Sequence, residues 1–270
     1  MKKRFLVLFL IISNFLFSQN NINYSFRAKY KLTSKISSKI PNKQEEAFFL
    51  FFNEKESFFI SEKDYVRDSI KLQNISGKYD LSAFVRFKSF FSDRIYTSLR
   101  SDDNIKLTFL KYRDSFFGFT NDSLKRDWKI NGEKKTIRKI QCVNANINML
   151  GRQWNAYYSQ DYPFPFGPFQ FDNLPGLIIS VKDSEGIFEF ELIELKKTNI
   201  SYKLEKIDKF VSKEDYYKLL KEMNFGTQIF NKFSTPDDPN SKVELQKKFE
   251  SQIKKIDNFP IDKTMRYIFD

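Results

Sequence analysis

Tyr24-Ser25-Phe26-Arg27-Ala28-Lys29-Tyr30-Lys31-Leu32 decides the fold class of this chain. Apolar and polar residues alternate without interruption, the two-residue period of a strand with one dry and one wet face. Further strand candidates lie outward from it, the first of them an aromatic run. Ala47–Phe52 and Ser57–Ser61 read as a hairpin across the charged turn Asn53-Glu54-Lys55-Glu56. Ala83–Phe87, Arg94–Leu99, Ile105–Lys111 and Ser115–Thr120 follow at intervals near ten residues, separated by Asp, Asn and Ser, as in an antiparallel meander. Trp128–Ile130 is expected to stop at Asn131-Gly132, a tight-turn dipeptide. Thr136–Ala145 and Arg152–Ser159 are two further strands with a turn within Asn148–Gly151, then Leu177–Val181 and Ile187–Leu195, with Tyr202–Ile207 as the last. Thr33–Gln44 and Val66–Leu81 read as loops.

Two helices are expected at the C-terminal end. Ser212 before Lys213-Glu214-Asp215 has the form of a capping box, Tyr216, Leu220 and Met223 share a face, and Phe225-Gly226 ends the helix. Ser241 and Glu244 form a second box, ahead of a stripe of Leu245, Phe249, Ile253 and Ile256. The expected architecture is mainly β (α+β): a single curved antiparallel sheet or half-open barrel with two C-terminal helices. Its layout looks similar to periplasmic lipoprotein-carrier folds.

The N-terminus carries an address. Lys2, Lys3 and Arg4 precede the thirteen residues Phe5–Phe17, interrupted only by Ser13 and Asn14. A membrane-spanning helix needs about 20 apolar residues, so this order reads as a signal peptide over residues 1–18, cleaved after Ser18 or Gln19. Residues 19–270 then form one β-rich domain with a helical C-terminal end. No later segment is long and apolar enough to span a membrane, so no transmembrane segment is expected in the mature chain. The expected location is exported, in the periplasm, with the outer surface as the alternative.

Composition removes several chemistries. The chain has one cysteine, Cys142, and no histidine. A Ser-His-Asp or Cys-His arrangement cannot be built, nor can the usual His/Cys zinc site. Cys142 lies in a strand beside Ile140 and Val143, where a free cysteine acts as a small buried hydrophobe. No catalytic residue, metal site or cofactor is expected. The formal charge is +12, but lysines are spread along the chain among Asp and Glu, so nucleic acid is not an expected partner. The paired acids Glu45-Glu46, Asp102-Asp103 and Asp237-Asp238 read as solvated turns.

Asp161–Gly176 stands apart. It holds Pro163, Pro165, Pro168 and Pro175 together with Tyr162, Phe164, Phe166, Phe169 and Phe171. Proline cannot donate to a ladder, so the segment is no interior strand; its apolar content makes it lie down on the sheet. Around it runs an ordered set: Trp128; Ile140-Gln141-Cys142-Val143-Asn144-Ala145; Gly151-Arg152; Trp154; Tyr157-Tyr158; Pro163; Gly167-Pro168-Phe169; and Asn173-Leu174-Pro175-Gly176-Leu177-Ile178. This order resembles the GLPGLI family of exported Bacteroidetes proteins over about 70 residues, with Asn173 where the name has glycine. The resemblance implies an exported protein with no established enzymatic activity. The motif residues either close one end of the sheet or rim an apolar groove, the default form of a ligand site. The function classes that remain are a non-enzymatic envelope protein binding an apolar ligand or a protein partner, a structural or assembly factor of a surface or transport complex, and a carboxylate-dependent hydrolase.

Overall fold

The alternating N-terminal stretch lies in the middle of the molecule. In the computed structural model, which describes residues 21–39, 41–73, 89–99, 104–121, 126–225, 243, 247, 251 and 253–270, it forms β1 (Asn21–Ser34). On one side β1 pairs antiparallel with β2 (Gln44–Phe52), Ala28 opposite Leu50 and Tyr30 opposite Phe48. On the other it pairs antiparallel with β11 (Phe188–Lys203), Leu32 opposite Phe190.

Two sequential meanders extend from this seam. One continues from β2 through β3 (Glu56–Ser61), β4 (Arg94–Ser98), β5 (Ile105–Tyr112) and β6 (Ser115–Thr120). The other runs β7 (Lys129–Ile137), β8 (Ile140–Met149), β9 (Arg152–Ser159), β10 (Leu177–Asp183) and on to β11. A two-residue strand, β12 (Lys209–Phe210), adds parallel to β6. The sheet therefore has twelve strands in the order β12-β6-β5-β4-β3-β2-β1-β11-β10-β9-β8-β7, curved, open and antiparallel but for its last pair.

Beside β1, strands β2 and β3 have no wet face. Phe48, Leu50 and Phe52 point into the larger apolar cluster, with Phe59, Phe190, Trp154 and Phe171. Phe49 and Phe51 point into a second cluster with Phe58, Tyr96 and Phe109. Strands buried on both faces read as unbroken apolar runs, as Phe48–Phe52 does. Each face then needs a cover. The second is covered by helix α1 (Glu62–Gln73), whose Tyr65 ring meets Phe49 at 5.4 Å and Phe51 at 5.3 Å, and by Ile200, Tyr202, Leu204 and Ile207. The larger cluster is covered by the proline-rich segment, by helix α2 (Lys213–Phe225) through Tyr216, Tyr217 and Leu220, and by the C-terminal tail through Phe259, Ile261 and Phe269.

Five expectations are corrected. Glu45-Glu46 is not a solvated turn: both residues lie in β2, and the Glu46 side chain is largely buried, pairing with Lys63 and accepting from the Ser89 hydroxyl. Residues 66–73 are helical rather than loop: Ser61 Oγ accepts from the Asp64 amide at 3.0 Å to cap α1, and Glu62 and Asp64 suit its positive end. Asn131-Gly132 is a bulge inside β7 rather than a turn, with Gly132 at φ 77° and a register jump between Ile130 and Lys134. The hairpin falls instead at Arg138 and Lys139 (φ 50° and 68°), so the expected strand Thr136–Ala145 is divided between β7 and β8. The bulge absorbs the left-handed backbone because both flanks still find partners on β8. Tyr202–Ile207 is not a separate strand: β11 follows β1 as far as Lys203 through two register shifts.

The turn expected within Asn148–Gly151 is present, with Leu150 and Gly151 at positive φ. The signal peptide, the Ala83–Phe87 strand, the Asp102-Asp103 and Asp237-Asp238 pairs and the Ser241/Glu244 capping box lie outside the described residues. Of the second helical stripe, Ile253 and Ile256 are described, and both are buried. Among the described residues no helix is long and apolar enough to cross a membrane.

Helix α2 docks through a buried polar contact: Tyr216 Oη donates to Asp93 Oδ1 at 2.7 Å. Burial, with Asp262 and Asp64 nearby, raises the Asp93 pKa from 3.8 to about 6 against the opposing Tyr216 hydrogen bond. A carboxyl whose pKa is raised by folding supports the fold while protonated and loses that support as pH rises through the folded value. Asp93→Asn keeps the acceptor for Tyr216 and never ionises. We expect it to be more stable than the parent by roughly 1–3 kcal/mol at pH 7.5, with the difference vanishing near pH 4. Urea unfolding midpoints of both proteins at the two pH values give the measurement.

Candidate functional site

The motif residues converge on the segment between β9 and β10. It is built from tight turns around prolines. Phe164 N donates to Tyr162 O (2.7 Å) across Pro163, and Phe166 N to Phe164 O (2.8 Å) across Pro165. Asn173 N reaches back to Pro165 O, Leu177 N to Tyr162 O and Ile178 N to Phe166 O. The backbone thus satisfies itself without a ladder, as a buried loop must. Phe169 and Asn173 sit at φ 53° and 68°; asparagine tolerates this region, whereas an aromatic there is an outlier held by its surroundings. Two glycines are required by contact. A Cβ on Gly167 would lie 2.7 Å from Phe171 O, and one on Gly176 would lie 2.1 Å from Ser159 O.

Below the loop the packing is aromatic. Phe171 meets Trp154 edge-on at 4.6 Å, Phe169 stacks on Phe190 at 6.2 Å, and Phe164 leans on Phe26 and Phe52 at 5.0 and 5.1 Å. Trp154 Nε1 donates to Met149 O, and the buried Tyr30 hydroxyl donates to Ile178 O at 2.6 Å. The motif therefore divides. Cys142, Trp154, Gly167, Pro168, Phe169, Leu174, Gly176, Leu177 and Ile178 are buried. Pro163, Asn173 and Pro175 are exposed above them. Trp128 and Tyr157 are half-buried, Trp128 Nε1 donating to Asp172 O at 2.8 Å and Tyr157 Oη to Glu133 Oε1 at 3.0 Å. Burial pushes the Cys142 thiol up to about 11, the reverse of what a nucleophile needs.

A polar clamp fastens the loop to β5. Lys106 Nζ donates to Asp172 Oδ2 at 2.7 Å and to Gln170 O at 3.0 Å. Arg126 forms an ion pair with the other Asp172 oxygen. Thr108 Oγ1 accepts from Gln170 Nε2 and Asn121 Nδ2, both at 2.7 Å. Burial lowers the Lys106 pKa to about 8, although Asp172 pulls it upward. The sequence reading did not single out Lys106, Thr108, Asn121, Arg126, Gln170 or Asp172. A signal existed in the loop, where Gln170 and Asp172 alternate with Phe169 and Phe171. In β5 the polar residues Lys106 and Thr108 alternate with Leu107 and Phe109 and resemble a wet face.

The buried carboxylates carry structural pairings. Asp183 accepts from Arg152 Nη1 at 3.1 Å, Asp262 pairs with Lys213 at 2.6 Å, and Asp64 pairs with Arg67. Among the described residues no group of three or more Cys, Asp or Glu is placed to hold a metal ion. A shallow concavity of about 430 Å³, floored by Phe225, Ile253 and Ile268 with Lys218 and Lys221 at its rim, lies between α2 and the tail, where no motif residue lines it.

No family model matches the sequence, and no curated protein does. Among solved structures, two crystal forms of PNGF-II align with TM-scores of 0.48 and 0.49 at 14% and 12% identity. Each alignment covers 73% of this chain, which spans only 33% and 32% of the respective PNGF-II chains. A LolA superfamily protein from Nitrosomonas europaea aligns at TM-score 0.28 and 7% identity, over 68% of this chain and 89% of that one.

Breaking a buried ion pair from one side leaves an uncompensated charge. Lys106→Met should lower stability by about 2–4 kcal/mol, less than a full orphaning because Arg126 remains beside Asp172. The loop should also become the first site of limited proteolysis. Unfolding curves and mass mapping of early fragments check both; an unchanged cleavage pattern means that the clamp does not hold the loop.

Proposed function

We propose that this chain is an exported, non-enzymatic envelope protein of the GLPGLI type that works by binding a protein partner. The observation that carries the reading is that the sheet face bearing the larger apolar cluster is filled. Phe166, Phe169, Phe171 and Leu174 occupy the space in front of the sheet, where an open half-barrel would take an apolar ligand. Lys106, Thr108 and Asn121 hold the loop in place through Asp172 and Gln170. An interior so occupied favours recognition at the surface.

Export is supported by the basic start and short apolar run of residues 2–17. The periplasm is the proposed location. The absence of histidine, the inert Cys142 and the paired buried carboxylates support a binding role over catalysis. Apolar-ligand carriage is the second reading, favoured by the area of aromatic surface beneath the loop. It requires that Phe169 and Phe171 leave Phe190 and Trp154.

The two readings separate experimentally. Protein purified from its native envelope should yield no lipid on solvent extraction and should not enhance anilinonaphthalene sulfonate fluorescence at neutral pH. Crosslinking in intact cells should trap a heteromer of fixed stoichiometry. One co-extracted lipid per chain, with no heteromer, would overturn the partner-binding reading.

A further inference from the structure

Strand β7 ends the sheet, and its outer edge has no neighbour in the strand order. A free edge presents a row of unpaired amide and carbonyl groups, a template for another strand. Residues Lys129 to Thr136 on this edge are exposed, and no other element among the described residues pairs with it. The opposite edge, β12, has two residues and offers no comparable ladder. Beyond the bulge, the pairing of β7 with β8 is regular from Lys134 to Ile137, so that part of the edge is straight enough to continue the sheet.

The edge is also chemically distinctive. From Lys129 to Lys139 it carries five cations, Lys129, Lys134, Lys135, Arg138 and Lys139, against a single carboxylate, Glu133. Glu133 is engaged by the Tyr157 hydroxyl, Lys135 lies over the Tyr157 ring at 5.4 Å, and Arg138 pairs with Glu191 at 2.9 Å. Lys129, Lys134 and Lys139 make no ion pair among the described residues. Ile130 is 51% exposed beside them. The start of the strand is braced from inside, because Trp128 donates to the backbone of Asp172 in the clamped loop. A rigid, basic and unpaired edge with one exposed aliphatic side chain is therefore fixed directly to the motif segment.

We propose that the outer edge of β7 is a docking surface for an extended acidic segment of a partner protein. That segment would add as a strand along Lys134–Ile137, its Asp and Glu side chains set against Lys129 and Lys134. This inference rests on the partner-binding reading above and names its surface. Main-chain pairing supplies the affinity of such an addition, and the side chains supply the choice of partner. A second copy of this chain is a poor occupant, since like charges directly opposite across two strands are destabilising. The lysines that repel an identical edge attract an acidic one. An anionic lipid or glycan surface would answer to the same charge but would make no use of the ladder.

The test uses the mature full-length chain and two fluorescein-labelled peptides of equal negative charge. One alternates glutamate with valine; the other has proline at every valine position and cannot pair as a strand. The glutamate–valine peptide should bind with marked salt dependence and protect from hydrogen exchange those amides of Lys134–Ile137 that alternate away from β8. The proline peptide should bind roughly tenfold more weakly or worse, as should the glutamate–valine peptide to the Lys129→Glu/Lys134→Glu protein. Both side chains are exposed, so circular dichroism of the variant should match the parent.

Equal binding of the two peptides, or binding of heparin or phosphatidylserine vesicles as tight as the glutamate–valine peptide, would mark a polyanion surface and overturn the proposal. No peptide binding would overturn it too. In-cell crosslinking separates the two levels. If the double variant keeps the parent's heteromer, the edge is wrong and the partner-binding reading stands; if neither protein forms a heteromer, both fall.

Discussion

A sheet with phenylalanine on both faces of its central strands has to be covered twice. That requirement organises the rest of the molecule. Phe48 and Phe59 stack at 5.0 Å on one face, while Phe49 and Phe51 meet Tyr65 on the other. Each buried Phe contributes roughly 1.5–3 kcal/mol relative to exposure, so neither face can be left open. Helix α1 and residues 200–207 serve one side; the proline-rich segment, α2 and the tail serve the other. The tail is drawn in by Arg152, which donates to the carbonyls of Ile261 and Asn258 from a strand otherwise concerned with Trp154 and Tyr158.

The proline-rich segment solves a harder problem than a helix would. It must present aromatics downward at irregular spacing and still satisfy its own backbone. Tight turns around Pro163 and Pro165 do the second, and the left-handed residues Phe169 and Asn173 do the first. Prolines also lower the entropy of the unfolded segment. The clamp through Lys106, Asp172 and Arg126 contributes orientation more than net stability, since buried ion pairs roughly offset their own desolvation. It fixes which way Phe169 and Phe171 face across the sheet.

Most of the strands could be read directly because a half-buried strand leaves a two-residue period, as at Tyr24–Leu32 and Phe188–Leu192. Elements whose burial is not periodic could not. Helix α1 turns one aromatic, Tyr65, inward, and in its sequence Val66, Ile70 and Leu72 are interleaved with Arg, Asp, Ser and Lys, so residues 66–73 show only a weak stripe. Asn131-Gly132 carries turn chemistry that a bulge uses equally well. For the site, the aromatic and proline positions in Asp161–Gly176 marked a loop lying on the sheet, and the structure has that arrangement. Lys106 and Asp172 are 66 residues apart, and only the register of β5 under the loop brings them together. No local pattern encodes that meeting.

The position of β1 has a consequence for the order of assembly. Each meander, β2 to β6 and β7 to β11, pairs neighbours in sequence and can form from local contacts. The seam between them needs Arg27 to find Glu194, 167 residues later. Contacts of such separation close slowly, because the intervening chain has to be brought together first. Strand β1, which precedes every other described strand, is therefore among the last to be locked on both sides. Until Phe188–Lys203 arrives, its aromatic face remains available to any chaperone that escorts the chain.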